Sequence, residues 1–182
     1  MNAQSHAVGR TMADDAPFDF GGTFRGQYGR IARVIARVVR DPARAEELAV
    51  EVFVKLWQTP QAQGEKAGAW LYRAAVRKGL DELRRQTRRV RYERLLGSAR
   101  MTSTPEEIHG ANEQQERIRT VLAVVEPRQA ELLVLRSHGL TYEELALALH
   151  INAASIGTLL SRAQHAFRRQ YIRRYGETNG EQ

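Results

Sequence analysis

The stretch Thr141–Arg169, TYEELALALHINAASIGTLLSRAQHAFRR, decides how this chain is read. Thr141 followed three residues on by Glu144 is the capping-box spacing, in which a hydroxyl and a carboxylate each satisfy a free backbone N–H at a helix start. Leu145, Ala146 and Leu149 give the first helix one apolar face. His150-Ile151-Asn152 breaks the period, and Asn152 can cap a second helix. There Ile156, Leu159, Leu160, Ala163 and Phe167 fall on one stripe at i, i+3, i+4, i+7 spacing. At about 100° per residue the opposite face carries Thr158, Ser161, Arg162, His165, Arg168 and Arg169, with no carboxylate among them. Two short helices and a tight turn with such a face match a helix-turn-helix, whose second helix enters the major groove. The plainer alternative is an amphipathic hairpin whose basic face is only solvated.

The rest of the composition favours a polyanionic partner. Lys and Arg number 28 against 21 Asp and Glu, a formal charge of +7 with a pI near 10.2. That balance suits nucleic acid or an anionic membrane surface. A chain of 182 residues holds one ordinary domain or two small ones. It has no cysteine, which rules out disulfides and thiolate metal sites. No basic start with an apolar run reads as a secretory signal, and no stretch approaches the roughly 20 apolar residues of a membrane span. The expectation is a soluble, cytoplasmic protein without membrane insertion.

Outward from the helix-turn-helix, every patterned segment reads as helix. Residues 1–17 are polar and mixed, a loose tail. Phe24, Tyr28, Ile31, Ile35 and Val38 mark a first helix. Asp41-Pro42 starts a second, with Asp as cap and Pro at the first helical position. In DPARAEELAVEVFVKLWQ, Ala45, Leu48, Ala49, Val52 and Leu56 line one face, and Glu46, Glu47 and Glu51 lie off it. That acidic face suits either solvent or a protein partner. Pro60, Gly64 and Gly68 mark a loop. A basic helix begins near Ala69-Trp70. From Trp70 to Arg94 nine Lys/Arg face three Asp/Glu, a net of +6 that fits phosphate binding. Trp57 and Trp70 read as core anchors, and Gly79 weakens the basic helix by about 1 kcal/mol relative to Ala. Gly97 to about Thr104 reads as a flexible linker. Thr104-Pro105-Glu106-Glu107 reads as another helix start, with Ile118, Val121, Leu122 and Val125 buried behind it. Leu132, Leu133 and Leu135 pack next, and Gly139 suits a left-handed stop. The fold class expected is all-α: two small helical domains joined by a flexible linker, the C-terminal one a winged-helix-like helix-turn-helix.

The order of these parts resembles the extracytoplasmic-function (ECF, group IV) sigma factors of bacterial RNA polymerase, of the sigma-70 family. DPARAEELAVEVFVKLW looks like the polymerase-docking helix of region 2, and WLYRAAVRKGLDELRRQTRR like its promoter-facing helix. TPEE opens a stretch like the start of region 4, and EPRQAELLVLRSHGLTYEELALALHINAASIGTLLSRAQHAFRR resembles region 4 itself. The likeness runs from about Phe18 to Arg174. Two departures are Lys78, where the family usually has Asn, and Leu159-Leu160 in place of Val-Lys.

The resemblance implies the organisation and the roles. Residues 18–96 would be region 2, 97–112 the linker, 113–175 region 4 and 176–182 a tail. Glu47, Glu51 and Lys55 would bind core RNA polymerase. The loop from about Gln63 to Ala69 would capture a flipped base of the minus-10 element. Arg73, Arg77, Lys78, Arg84 and Arg85 would hold minus-10 DNA, and Ser155, Thr158, Ser161, Arg162 and His165 would read the minus-35 element. Partners implied are bacterial core RNA polymerase, promoter DNA and an anti-sigma factor. Two other readings stay open: a plain helix-turn-helix regulator, and a degenerate relative that binds polymerase without opening promoters. No enzyme is read. The five histidines include no i, i+3 or i+4 pair, and there is no cysteine nucleophile, glycine-rich phosphate loop or cofactor motif.

Overall fold

A computed structural model describes residues 17–96 and 110–176. The expected terminal tails, the linker and the Thr104 helix start lie largely or wholly outside them. Among the described residues the fold is all-α, with no strand. Its helices are α1 (Phe20–Val39), α2 (Pro42–Trp57), α3 (Ala67–Leu95), α4 (Gly110–Val124), α5 (Pro127–Ser137), α6 (Tyr142–Leu149) and α7 (Ala153–Tyr175), with a short 3-10 turn at Pro60–Ala62.

The helix starts follow local chemistry. The Asp19 carboxylate accepts from Gly22 N at 2.7 Å, and that of Asp41 accepts from Arg44 N at 3.0 Å. Glu126, ahead of Pro127, accepts from two backbone amides at 3.0 Å each. The capping box forms in full: Thr141 N donates to Glu144 at 2.7 Å, and Glu144 N donates to the Thr141 hydroxyl at 3.2 Å. Each pairing removes a free N–H that would otherwise cost about 1 kcal/mol. Gly139 adopts φ +86° between α5 and α6, and His150 takes the left-handed conformation (φ 54°) that stops α6.

Two units are built on these helices. In the first, α1, α2 and the N-terminal half of α3 bury Ile31, Ile35, Leu48, Phe53, Leu56, Leu71, Val76 and Leu80 completely. In the second, α4–α7 bury Val121, Leu135, Leu145 and Ile156. Truncating any one of these to Ala removes apolar contact and leaves a cavity, at about 2–5 kcal/mol.

The units are not separate. α3 also packs on α4, α5 and α6, and the buried side chains form one continuous cluster. Arg119 of α4 donates to the carbonyls of Val38 (2.7 Å) and Val39 (3.0 Å), closing the C-terminal end of α1 from across the boundary. Arg73 of α3 pairs with Glu131 of α5 at 3.1 Å.

Three expectations change in detail. Trp57 is 63% exposed rather than a core anchor, and sits edge-on to Phe20 with ring centroids 5.1 Å apart. Ile118 lies on the exposed side of α4, because the stripe that meets α3 and α7 runs through Val121 and Val125. Gly79 is buried where α3 crosses α1; a Cβ there would stand 3.3 Å from Val38 Cβ.

Candidate nucleic-acid and polymerase interface

α6 and α7 meet at 91°, the right-angled crossing of a helix-turn-helix. Asn152 Oδ1 accepts from Ala154 N at 2.9 Å and fixes the start of α7. Ile156, Leu160 and Ala163 are buried, and Leu159 and Phe167 half-buried. That anchoring turns Ser155, Thr158, Ser161, Arg162 and His165 outward, all exposed. Gly157 lies beside the Tyr142 ring, so α6 braces the first turn of α7. The outward face offers hydroxyl donors and acceptors, an imidazole and a guanidinium at helical spacing, a set able to read base edges.

The predicted minus-10 side chains sit on α3 but differ in freedom. Arg77 is exposed. Lys78 is ion-paired with Glu51 of α2. Arg85 is 64% exposed and lies 3.0 Å from Glu82. Arg84 is mostly covered, 3.5 Å from Asp81, with Nη2 buried and unpartnered. Arg73 is half-buried in its pair with Glu131. Glu51 and Lys55 line one cleft of about 370 Å³ with Arg73, Arg77 and Lys78, so the predicted polymerase and minus-10 groups share a groove.

The loop expected to take a flipped base is built from its first residue. Gln63 Nε2 donates to the carbonyls of Leu56 (3.2 Å) and Trp57 (3.1 Å), tying the loop to the end of α2. Gly64 then turns at φ +92°, a conformation that suits glycine. Glu65 and Lys66 are exposed before α3 begins.

On α2, Glu47 is exposed and pairs with Arg44 at 2.7 Å. Beside the acids runs an apolar stripe that sequence reading passed over. Val50, Val54 and Trp57 are 45%, 47% and 63% exposed at i, i+4, i+7 spacing. The signal was present in the sequence: these three lie off the buried stripe of Leu48, Val52 and Leu56. At that spacing the three side chains lie along one exposed strip of α2.

One carboxylate behaves differently. Glu82 is buried between Arg44 (3.2 Å) and Arg85 (3.0 Å). Burial alone would raise its pKa, but the hydrogen bonds and charge of Arg44 and then Arg85 outweigh it and hold the carboxyl below its ordinary value. It pins α2 to α3 and is structural. No group of side chains that could hold a metal ion occurs among the described residues.

Comparison with known proteins places this geometry. The sigma-70 region 2 model matches residues 24–89, and the sigma-70 region 4 model matches residues 115–163. The chain therefore belongs to the sigma-70 family, with both regions in order. Within it the chain is an ECF sigma factor that directs promoter recognition and transcription initiation. It is 26% identical over 175 residues to the ECF RNA polymerase sigma factor SigK of Mycobacterium ulcerans (strain Agy99), covering 92% of this chain and 90% of that protein. SigK of Mycobacterium sp. (strain KMS) is 24% identical over 154 residues, covering 81% and 80%. The ECF sigma factor SigL of Mycobacterium tuberculosis (strain H37Rv) is 32% identical over 78 residues, covering 41% and 42%. Among solved structures, the sigma factor RpoE of Bartonella quintana, crystallised with the anti-sigma factor NepR, shares the fold at TM-score 0.50 and 17% identity, covering 84% of this chain and 96% of that chain. No single described helix is long and apolar enough to cross a membrane.

Proposed function

We propose that this sigma factor divides its work among three surfaces. The exposed face of α2, with Glu47, Glu51, Lys55 and the Val50, Val54, Trp57 stripe, docks on bacterial core RNA polymerase. The residue 63–69 loop and Arg73, Arg77, Lys78, Arg84 and Arg85 of α3 capture and hold the minus-10 element. Ser155, Thr158, Ser161, Arg162 and His165 of α7 read the minus-35 element. An anti-sigma factor is a further proposed partner, and the cytoplasm the proposed compartment. The observation that carries the α7 assignment is the buried stripe that aims an acid-free face outward across a 91° turn.

The chemistry supports this division. Opening a duplex requires unstacking a base and giving it a pocket. Arginines on phosphates position DNA without reading it, and a few side chains on one helix read base edges. Two weak DNA-binding units on one chain gain effective concentration once both are held on the polymerase.

Run-off transcription with core polymerase and genomic DNA is the test. Discrete new transcripts are expected. Polymerase binding without transcripts would favour the degenerate relative, and DNA binding without polymerase binding the plain regulator. With a promoter in hand, Arg77→Ala should weaken binding evenly across sequences and reduce the salt slope by about one. Arg162→Ala should instead relax preference at one minus-35 position by about 1–3 kcal/mol. An unchanged slope, or an unchanged preference, would remove that residue from its role.

A further inference from the structure

A cleft of about 650 Å³ opens between α1, α4 and the end of α5, within the roughly 300–1,000 Å³ of small-molecule sites. Its charged lining is of one sign. Arg33, Arg37 and Arg40 stand on α1 at i, i+4, i+7 spacing, where like charges repel. Arg119 of α4 and His138 complete the set, with no carboxylate in the lining. Two of the four arginines are engaged: Arg119 holds the Val38 and Val39 carbonyls and Glu116, and Arg40 lies 3.9 Å from Glu116. Arg33 and Arg37 are exposed. Arg33 Nε donates to Gly29 O of its own helix at 3.0 Å, which fixes the stem and leaves the two Nη groups. Arg37 Nη1 meets His138 Nδ1 at 3.4 Å, long enough to yield to a stronger acceptor. The excess positive charge is already felt there, since burial and then Arg37 hold the His138 pKa below its ordinary value.

The rest of the lining is largely apolar. Pro42 is exposed, Ile118 is 37% exposed and Leu122 is half-buried. A DNA backbone is held by charge and hydrogen bonds and makes no use of such a wall. A guanidinium pair matches the oxygens of a phosphate group, and an apolar wall matches the body that carries it. We propose that this cleft is a binding site for a small organic phosphate, with the phosphate held by Arg33 and Arg37 beside His138 and the apolar body against Pro42, Ile118 and Leu122. None of these residues belongs to the proposed polymerase or promoter surfaces, so the site stands apart from the sigma assignments.

Isothermal titration of the full chain at low salt is the test, with ADP, pyrophosphate and adenosine as probes. ADP should bind one per chain, at least tenfold tighter than either fragment, and should raise the urea midpoint because it binds only the folded state. Arg33→Gln and Arg37→Gln should each weaken ADP about tenfold. Arg25→Gln removes the same charge from an exposed position on α1 outside the cleft and should change nothing. Ile118→Asn should weaken ADP severalfold and leave pyrophosphate unchanged. All four positions are exposed, and unchanged circular dichroism checks that each variant folds. No ADP binding at millimolar concentration overturns the proposal, as does an equal loss in Arg25→Gln, which would mean diffuse charge. Adenosine as tight as ADP removes the phosphate role, and pyrophosphate as tight as ADP removes the apolar one; either overturns it. So does random-sequence duplex DNA that displaces ADP and itself binds less well to Arg33→Gln and Arg37→Gln, since the cleft would then be a backbone contact.

Discussion

Glu82 illustrates what one residue contributes. It looks like a solvated acid in a basic helix, yet it is buried and bridges Arg44 and Arg85. Glu82→Gln should cost about 1–3 kcal/mol at neutral pH, since two charge-assisted bonds weaken while Arg44 keeps Glu47. The sign of its pH dependence follows from a pKa lowered on folding. The stabilisation is complete above the unfolded pKa of about 4.3 and is lost as pH falls through the lower folded value. Urea midpoints of parent and variant should therefore differ at pH 7 and converge as pH falls below about 4. A gap of constant size across that range would mean that the carboxylate charge is not what matters.

Among the elements, α3 and α6 carry the sharpest tests. Gly79 appears wasteful in a helix until α1 is placed against it, with Val38 Cβ 3.3 Å from where a side chain would begin. Gly79→Ala gains helix propensity of about 1 kcal/mol but crowds Val38, so stability should stay within about 1 kcal/mol of the parent. Gly79→Leu has no such room and should lose about 3 kcal/mol or more in chemical denaturation. Equal stability of the Leu variant would show that the crossing is looser than drawn. At α6, Thr141→Ala removes the hydroxyl that accepts from Glu144 N, keeps the backbone N–H that donates to the Glu144 carboxylate, and should cost about 1 kcal/mol. Faster hydrogen exchange confined to α6 and the start of α7 is the expected signature, since α6 has only 8 residues and leans on its cap.

For the molecule as a whole, the two units share one continuous buried cluster, and the Arg73–Glu131 pair and the Arg119 bond to the Val38 carbonyl cross their boundary. A histidine lies there too. His138 Nδ1 is 3.4 Å from Arg37 Nη1 of α1. Burial, and then the Arg37 charge, push its pKa below the ordinary value. Arg33, Arg40 and Arg119 line the same cleft, while Arg30, Glu65 and Glu144 share a second cleft with it. A base whose pKa falls on folding contributes full stability above its unfolded pKa of about 6.5 and loses it as pH drops toward the folded value. Stability should thus fall from about pH 7.5 to pH 5.5, read as a falling urea midpoint. His138→Asn should flatten that dependence; a pH response that persists would assign it elsewhere.

The sequence by itself determined the helices, their caps, the helix-turn-helix and the outward face of α7. Those depend on a 3.6-residue period and on contacts within four residues, as in the Asp41, Thr141 and Asn152 caps. Its resemblance to ECF sigma factors rested on motifs of the same local kind in a fixed order. Only the tertiary structure decided which charges are spent inside the protein. Arg73 and Glu131 are 58 residues apart in the chain, Arg44 and Glu82 are 38 apart, and Arg119 reaches 81 residues back to Val38. The exposure of Trp57 and the burial of Gly79 are of the same kind, set by where α1 lies across α2 and α3. A helical period says which face of a helix is apolar; which neighbour covers it, and which basic side chain finds a carboxylate before it finds DNA, is settled only when the helices pack.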